Sequence, residues 1–141
     1  MGDAQRRWRQ RYSNFERALA LLSEALEAKP LEAYSRLEQE GIVQRFEYSF
    51  ELAWKTLKDL LYFEGYDEKT PRSVIRRAFA VGWISEEDAA CWLDSLDKRN
   101  LLSHTYNEQM AQEALVLIRD RYYPLLQRLQ TFLRTKMADD G

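Results

Sequence analysis

The sequence predicts an all-α protein folded as an antiparallel bundle of about five helices, and three observations support this prediction. Apolar residues recur every three or four positions along most of the chain, which is the period of one helix face. Five glycines and three prolines are too few for the many turns of a β-sandwich or barrel. The 141 residues are enough to bury a real core, so we expect a single domain over residues 1–141.

The first helix is predicted from an apolar stripe that ends before Pro30. The stripe consists of Trp8, Tyr12, Phe15, Leu19, Leu22 and Leu26. A residue before proline avoids helical geometry, so this helix should end near Lys29. Pro30 then suits the first turn of a second segment, which we expect Gly41 to break because glycine destabilises a helix interior.

Beyond Gly41 the helical pattern is strong. Its apolar members are Phe46, Phe50, Ala53, Trp54, Leu57, Leu60 and Leu61. Glu51 and Lys55 form a favourable pair one helical turn apart. Gly65 is placed to end the helix, since glycine adopts a left-handed conformation without strain.

Two further helices are predicted from their starting residues. Thr70 is a good N-cap before Pro71 at the first helical position, and Gly82 is placed to end this third helix. Ser85 starts the fourth helix, with Asp88 three residues later in a partial capping box.

The last helix should start after Asn107, another favourable N-cap. Its apolar stripe reaches Phe132, and we expect Pro124 to kink it. The tail from Met137 to Gly141 is expected to fray. The first, second and last helices, being the longest, should frame the bundle.

Composition narrows the functional classes. A net charge of -2 argues against broad DNA binding, although a local cleft for one or two phosphates remains compatible with it. Cys91 is the only cysteine, which excludes an internal disulfide and a cysteine-rich zinc site. We expect no metal and no cofactor, because neither a carboxylate site of known ligand spacing nor a glycine-rich phosphate loop is present. No apolar run reaches the roughly 20 residues of a membrane span and no signal core is present, so we expect a cytoplasmic protein.

The candidate chemistry lies in the segment RNLLSHTY, residues 99–106, which holds the only histidine, His104. Histidine titrates near neutrality and therefore suits both proton transfers of metal-free RNA cleavage. The permanently charged fork of Arg99 fits two phosphate oxygens. A single histidine supplies half of an acid–base pair, and two copies of the chain meeting at a symmetry axis would complete it. Arg99 and His104 are therefore candidate catalytic residues.

The spacing of this pair leaves its arrangement open. Five residues correspond to about 140° around a regular helix, so Arg99 and His104 share a face only loosely if the helix runs straight. Either the fourth helix ends near Leu102 or Ser103 and His104 turns back, or Arg99 and His104 of two subunits line one groove.

Structural roles are alternatives for each of these residues. His104 can cap the carbonyl groups at a helix C-terminus. Arg99 can pair with a carboxylate on a helix surface. Tyr106, just before the Asn107 cap, can pack on Ala111 as a hydrophobic staple.

Two blocks of the sequence resemble a known family. The pattern Arg99-Asn100-x-x-x-His104-x-Tyr106 resembles the Arg-x4-His-x-Tyr signature of the HEPN superfamily of small helical proteins. The segment QRFEYSFELAWK, residues 44–55, resembles a block of its nucleotidyltransferase substrate-binding branch, which includes HepT-type toxins. Thr70-Pro71-Arg72 and Ala78-Phe79 also fit that branch, and the resemblance covers roughly residues 10 to 133.

The resemblance implies a function and a set of partners. Members resemble antiparallel bundles that dimerise and place the Arg/His motifs of both subunits at a shared cleft. Many are metal-independent ribonucleases that act as toxins. In the HepT-like branch a small nucleotidyltransferase of the MNT type is the antitoxin, and it transfers AMP to the motif tyrosine. We therefore expect a homodimer, a nucleotidyltransferase partner and an RNA substrate, with neither a membrane nor DNA as partner.

The resemblance also implies a role for each motif residue. Arg99 would hold the scissile phosphate, and His104 would be the general base or acid. Asn100 would orient the phosphate or the motif. Tyr106 would accept AMP, which would put bulk and a negative phosphodiester two residues from His104 and block the groove.

The second block admits two interpretations. Its aromatic residues fit core positions. Arg45, Glu47 and Glu51 either face the Arg/His cleft and hold its side chains in place, or form ordinary ion pairs on a solvated face. Asp94 and Asp97 precede Arg99 and can pair with it or serve a structural role, which we favour.

Three functions follow from these observations. The leading one is a ribonuclease toxin silenced by AMP transfer to Tyr106. The alternative is a noncatalytic subunit that binds nucleotide or substrate for a separate nucleotidyltransferase. The third is a purely structural dimeric bundle, which an intact Arg99/His104 pair disfavours.

Overall fold

The structure, a computed structural model of the chain, describes residues 2–99, 102 and 107–140. All regular structure in these ranges is helical, which confirms the predicted all-α class. The helices are α1 (Asp3–Glu27), α2 (Arg36–Phe63), α3 (Pro71–Ala80), α4 (Glu86–Asp97), α5 (Glu108–Leu117) and α6 (Tyr123–Asp140). A short 3-10 turn, Leu31–Ala33, precedes α2, and a π turn, Ile118–Tyr122, joins α5 to α6. Since α5 and α6 form one continuous rod, this part of the chain contains five rods.

Helices α1 and α2 pack antiparallel along most of their length and form the main pair of the bundle. Near one end, Arg11 Nε lies 2.8 Å from Asp59 Oδ2. Near the other end, Arg45 Nη1 donates to the Leu21 carbonyl at 2.9 Å. The rod formed by α5 and α6 packs against this pair, so the three long segments expected to frame the bundle do so.

The core lies between these rods and contains the residues of the predicted stripes. Its largest fully buried side chains are Trp8, Phe15, Leu22, Leu57, Leu60, Leu61, Ile75, Trp92, Leu102, Leu115, Ile118 and Tyr122. Burying a large apolar side chain contributes about 1.5–3 kcal/mol, so helix packing rather than helix propensity dominates the stability. None of the helices in the described ranges is long and apolar enough to cross a membrane.

The break expected at Gly41 is wrong, because α2 continues through this residue. The helix starts earlier, at a reciprocal capping box. Glu38 N–H donates to Ser35 Oγ at 3.1 Å, and Ser35 N–H donates to Glu38 Oε1 at 2.9 Å. A good N-cap stabilises a helix by about 1 kcal/mol, which offsets a glycine cost of similar size. The neighbouring Ile42 and Val43 are also buried and hold this part of α2 in the core.

Glycines end α2 and α3 as the sequence predicts. Gly65 and Gly82 have φ angles of 100° and 85°, in the region that side chains disfavour. After Gly65, the Tyr66 N–H donates back to the Leu61 carbonyl at 2.8 Å, which satisfies a carbonyl left over at the helix end.

The three predicted N-caps are also confirmed. Thr70 Oγ1, Ser85 Oγ and Asn107 Oδ1 each accept a hydrogen bond from the backbone N–H three residues later, at 3.2, 3.0 and 2.9 Å. Each cap is a local arrangement of four residues, which is why single-sequence patterns locate it.

The C-terminal rod differs from expectation in one respect. A π turn lies just before Pro124, the residue where we expect a kink, and the proline lacks the N–H of a regular helical bond. The tail is not frayed from Met137, because α6 continues through Asp140. Met137 packs against the core, and its carbonyl accepts a hydrogen bond from Arg9 Nη2 at 3.4 Å.

Candidate functional site

Arg99 follows the last turn of α4 and reaches across to the middle of α2. Its Nη2 atom lies 3.0 Å from Oε2 of Glu51. The Arg99 side chain is 51% exposed. A guanidinium carries five N–H donors, so one bond to Glu51 leaves donors for a further partner. The packing of α4 beside α2 thus brings together two residues that are 48 positions apart.

Glu51 is held by donors from its own helix as well. Trp54 Nε1 donates to Oε2 at 3.1 Å, and Lys55 Nζ lies 3.2 Å from Oε1, which confirms the predicted Glu51–Lys55 pair. Burial raises the pKa of Glu51, but the hydrogen bonds from Trp54 and Lys55 and the charges of Lys55 and Arg99 outweigh this effect and lower the pKa below its ordinary value. Glu51 is therefore an anion at neutral pH, fixed where it can orient Arg99.

A narrow pocket lies beside this ion pair. It is lined by Phe46, Glu47, Phe50, Ser95, Arg99 and Leu102. Phe46, Phe50 and Leu102 are almost completely buried, whereas Glu47 and Arg99 have larger exposed fractions. Arg99 thus combines a fixed position with access to solvent, as a side chain that binds an anionic ligand requires.

Asp94 fixes the end of α4 that carries Arg99. The Tyr122 hydroxyl donates to Asp94 Oδ2 at 2.7 Å, while Lys98 Nζ and Arg121 Nη1 lie 3.2 and 3.1 Å from the carboxylate. Burial raises the pKa of Asp94, but the hydrogen bonds from Tyr122 and Lys98 and the two nearby cations lower it overall. Asp94 therefore ties α4 to the π turn, in the structural role favoured from the sequence.

The comparison with protein families assigns the chain to a family. A profile described as "Nucleotidyltransferase substrate binding protein like" matches residues 10–135, nearly the whole chain. The chain belongs to this family. The match confirms the family resemblance found in the sequence, and it spans both Glu51 and Arg99.

Two similar proteins give this family membership a context. A Haemophilus influenzae protein named "Probable ribonuclease HepT" is 29% identical over 85 residues, which are 57% of this chain and 57% of that protein. The chain thus matches little more than half the length of that relative. A crystal structure of a Thermus thermophilus protein is 39% identical, with a TM-score of 0.75, and the match covers 85% of this chain and 98% of the other. The solved structure supports the helical bundle.

The second family block places its polar residues in two different regions. Glu47 and Glu51 lie beside Arg99, Glu47 in the pocket lining and Glu51 in the ion pair. Arg45 instead donates to the Leu21 carbonyl of α1, so its guanidinium serves the α1–α2 contact. The structure therefore brings together Arg99, Glu47 and Glu51, and it places Arg45 apart from them.

The other residues of the family motif lie outside the described residues. These are Asn100, His104 and Tyr106. Leu102, which lies between them in sequence, is described: it is 1% exposed, and its N–H donates to the Lys98 carbonyl at 3.0 Å. The motif is therefore anchored in the core three residues after Arg99.

Sequence reasoning missed the polar contribution of Trp54. We expected only a core residue, and Trp54 is indeed buried, yet its indole N–H also binds Glu51. The signal was available: residues three apart on a helix are neighbours, and a buried indole N–H needs an acceptor.

Cys91 has the environment expected of a packing residue. It is buried, and burial raises the pKa of its thiol despite the nearby charge of Arg121. Among residues 2–99, 102 and 107–140, no group of three His, Cys, Asp or Glu side chains is arranged to hold a metal ion.

Proposed function

We propose that this protein is a metal-independent endoribonuclease and the toxin of a toxin–antitoxin pair. The observation that carries the proposal is the Arg99–Glu51 ion pair, which holds the arginine of the Arg-x4-His motif in a defined place while leaving half of its side chain exposed. The likeness to a protein named probable ribonuclease HepT supports the same reaction class.

The reaction is an internal transfer at phosphorus. The ribose 2′-oxygen forms a bond to phosphorus, and the bond from phosphorus to the 5′-oxygen breaks. A base removes the 2′-hydroxyl proton, and an acid protonates the leaving 5′-oxygen. His104 takes one of these roles, while Arg99 binds two phosphate oxygens and stabilises the charge that develops on them. Glu51 positions the Arg99 guanidinium.

The acid–base pair is completed in a homodimer that brings two copies of His104 to one cleft. The exposed face of α2 supports such an interface. Leu37 and Tyr48 are 78% and 62% exposed, and they share this face with Gly41 and Gln44. A second copy packed on this uncharged stripe would cover both large apolar side chains. This stripe ends beside Glu51 and hence beside Arg99.

A nucleotidyltransferase partner silences the enzyme by transferring AMP to Tyr106. In this step the Tyr106 phenolic oxygen bonds to the α-phosphorus of ATP, and pyrophosphate leaves. The added phosphodiester carries a negative charge, so it competes with RNA for Arg99. The family description, which refers to nucleotidyltransferases, supports a partner of this class.

A second candidate is a noncatalytic subunit that binds nucleotide or substrate for such a nucleotidyltransferase. The family description favours it directly, and the net charge of -2 agrees with a role other than general RNA binding. The two candidates differ in what the chain does alone, because only the ribonuclease cleaves RNA without its partner.

The deciding experiment compares the wild-type chain with His104→Ala and Arg99→Ala, each produced without a nucleotidyltransferase. We expect growth arrest and EDTA-resistant RNA cleavage from the wild type and neither from the two variants. Arg119→Ala is the matched control, since this exposed arginine pairs with Asp120 and lies outside the site. A folded wild-type dimer that neither arrests growth nor cleaves RNA would support the accessory subunit instead.

A further inference from the structure

The exposed face of α2 changes character at Glu51. Towards the C-terminus it continues with Lys55, Lys58 and Tyr62, which stand four, seven and eleven residues after Glu51. At 100° per residue these positions fall within about 60° of one another, so they form one stripe along the helix. The stripe extends about 16 Å from the Arg99–Glu51 ion pair.

The first helix adds a further cation at the far end of this stripe. The guanidinium carbon of Arg7 lies 6.0 Å from the centre of the Tyr62 ring. Arg7 and Lys58 also line one surface pocket together with Tyr62. Arg7 is exposed and the Tyr62 side chain is 52% exposed, so a ligand can reach the cation and the ring together.

The pocket is lined by three cations, Arg7, Lys58 and Lys69, and by three carboxylates, but two of the cations have no carboxylate partner in the part of the chain that the structure describes. Three carboxylates line the pocket, and each already has a cationic partner: Asp59 pairs with Arg11, Asp67 with Lys69 and Glu68 with Arg77. Among the described residues, Arg7 and Lys58 are therefore left without a carboxylate partner. The stripe is locally cationic although the whole chain carries a charge of -2.

We propose that this stripe, formed by Lys55, Lys58, Tyr62 and Arg7, binds the backbone of single-stranded RNA on one side of the cleaved phosphate. The inference rests on the proposed ribonuclease function and adds to it a surface that binds the strand beside the cleaved phosphate. Lys55 already pairs with Glu51, so Arg7 and Lys58 are the cations of the described stripe that a phosphate would meet unpaired. Such cations bind phosphates irrespective of sequence, and an exposed aromatic ring accepts any base by stacking. The strand would run from the phosphate at Arg99 along α2 for a few nucleotides.

The chemistry of the stripe favours RNA over a protein partner. A protein interface centre is depleted of lysine and rich in apolar contact area. This stripe instead carries two lysines and an arginine, with one aromatic ring among them. Its continuity with Arg99 places it where a substrate strand must leave the site.

The experiment measures both binding and cleavage by the 141-residue chain. Binding uses a fluorescent, noncleavable 2′-O-methyl RNA of about 12 nucleotides at several salt concentrations. Cleavage compares a long single-stranded RNA with a dinucleotide, which reaches Arg99 but not the stripe. One variant, the charge variant, combines Arg7→Gln with Lys58→Gln, and a second variant is Tyr62→Ala. Controls are Lys58→Arg and Tyr62→Phe, which preserve charge and ring, and Arg119→Gln at a distant surface.

We expect the charge variant to bind the long RNA at least tenfold more weakly, with a salt slope reduced by about 0.7 for each lost phosphate contact. Its KM should rise for the long substrate and stay unchanged for the dinucleotide. Tyr62→Ala should weaken binding about fivefold or more, and Tyr62→Phe should restore it.

The possible failures are distinguishable. If the wild type cleaves both substrates and the variants match it on long RNA, the stripe proposal is overturned and the ribonuclease stands. If the variants bind RNA normally but lose a nucleotidyltransferase partner, the stripe is a protein interface. If the wild type neither binds nor cleaves RNA, both the stripe proposal and the ribonuclease proposal fall.

Discussion

Arg99 and Glu51 form an ion pair of 3.0 Å between the end of α4 and the middle of α2. Each residue comes from one of the two sequence blocks that resemble the family, so the contact joins both blocks in one place. The pair is partly exposed, and exposed ion pairs typically contribute about 0–1 kcal/mol to stability. The contact is therefore better explained by the orientation of Arg99 than by the stability of the fold.

The first prediction concerns the guanidinium of Arg99. Arg99→Lys keeps the charge but removes the planar fork that binds two phosphate oxygens. We expect kcat/KM for RNA to fall by about 10²–10³, as when a transition-state donor is removed. The free energy of unfolding should change by less than about 1 kcal/mol. Steady-state cleavage and urea denaturation test this, and Arg119→Lys should match the wild type in both. Unchanged cleavage by Arg99→Lys would mean that Arg99 is not at the reacting phosphate.

The second prediction concerns Glu51 as a positioning residue. Glu51→Gln keeps an oxygen acceptor for Trp54 but removes the charge that orients Arg99. We expect kcat to fall about tenfold while KM changes little, since substrate still meets the same cations. Glu51→Asp should recover part of the loss if its shorter carboxylate still reaches the guanidinium. A rise in KM with normal kcat would instead assign Glu51 to substrate binding.

The sequence predicts those features of the fold whose interacting residues are close together in the chain. The caps at Thr70, Ser85 and Asn107 were predicted because each involves only four neighbouring residues. The break at Gly41 was wrong because its cost is offset by the Ser35 capping box and by burial of adjacent residues in the core. The helix preference of one glycine therefore did not decide the outcome, because a nearby N-cap and tertiary packing together outweighed it.

The site shows the same limit. Helical spacing predicts the Glu51–Lys55 pair, which lies within one helix. It does not predict the Arg99–Glu51 contact, because these residues are 48 positions apart and meet only through the packing of α4 against α2. Only the family resemblance grouped Glu47 and Glu51 with Arg99. It also grouped Arg45 with them, whereas packing directs Arg45 to the Leu21 carbonyl.

The third prediction concerns pH and the tie formed by Asp94. Its pKa is lower in the folded protein than its ordinary value. The Asp94 carboxylate therefore stabilises the fold above its unfolded-state pKa, and this contribution disappears as the pH falls through the lower folded-state pKa. We expect stability to decline below about pH 4, and Asp94→Asn should show a shallower decline over that range.

Tyr122→Phe provides the matched variant for this prediction. It removes the 2.7 Å hydrogen bond but leaves Lys98 and Arg121 beside Asp94. The expected loss is about 1 kcal/mol at neutral pH, as for one hydrogen bond. Urea denaturation followed at several pH values measures both effects. An identical acid profile for wild type and Asp94→Asn would contradict the assignment.

The fourth prediction uses Gly41 to separate folding from dimerisation. Among the described residues, no heavy atom outside its own helix lies within 4 Å of the position that a Cβ would occupy, so alanine fits this part of the subunit. Gly41→Ala should stabilise the isolated fold by about 0.5–1 kcal/mol, because alanine favours the helix. If a second copy packs closely on this face, the same change should weaken the dimer. Sedimentation over a range of concentrations measures association, and denaturation at the lowest concentration measures the fold. Unaltered association would place the dimer interface elsewhere.

The last prediction concerns modification of the motif tyrosine. Incubation of the chain with a nucleotidyltransferase of the proposed class and ATP should add the mass of one adenylyl group per chain and abolish RNA cleavage. Tyr106→Phe should prevent the mass increase, because the phenolic oxygen is the proposed nucleophile, while leaving the unmodified ribonuclease active. Tyr48→Phe and Tyr62→Phe are matched controls, since both tyrosines are exposed and both variants should still be modified. Intact-mass spectrometry and a cleavage assay on the same samples separate modification from inhibition. A mass increase that persists in Tyr106→Phe would assign the adenylyl group to another residue. An unshifted wild-type mass would remove AMP transfer from the proposed mechanism. The role of Arg99 would then be judged by RNA cleavage alone.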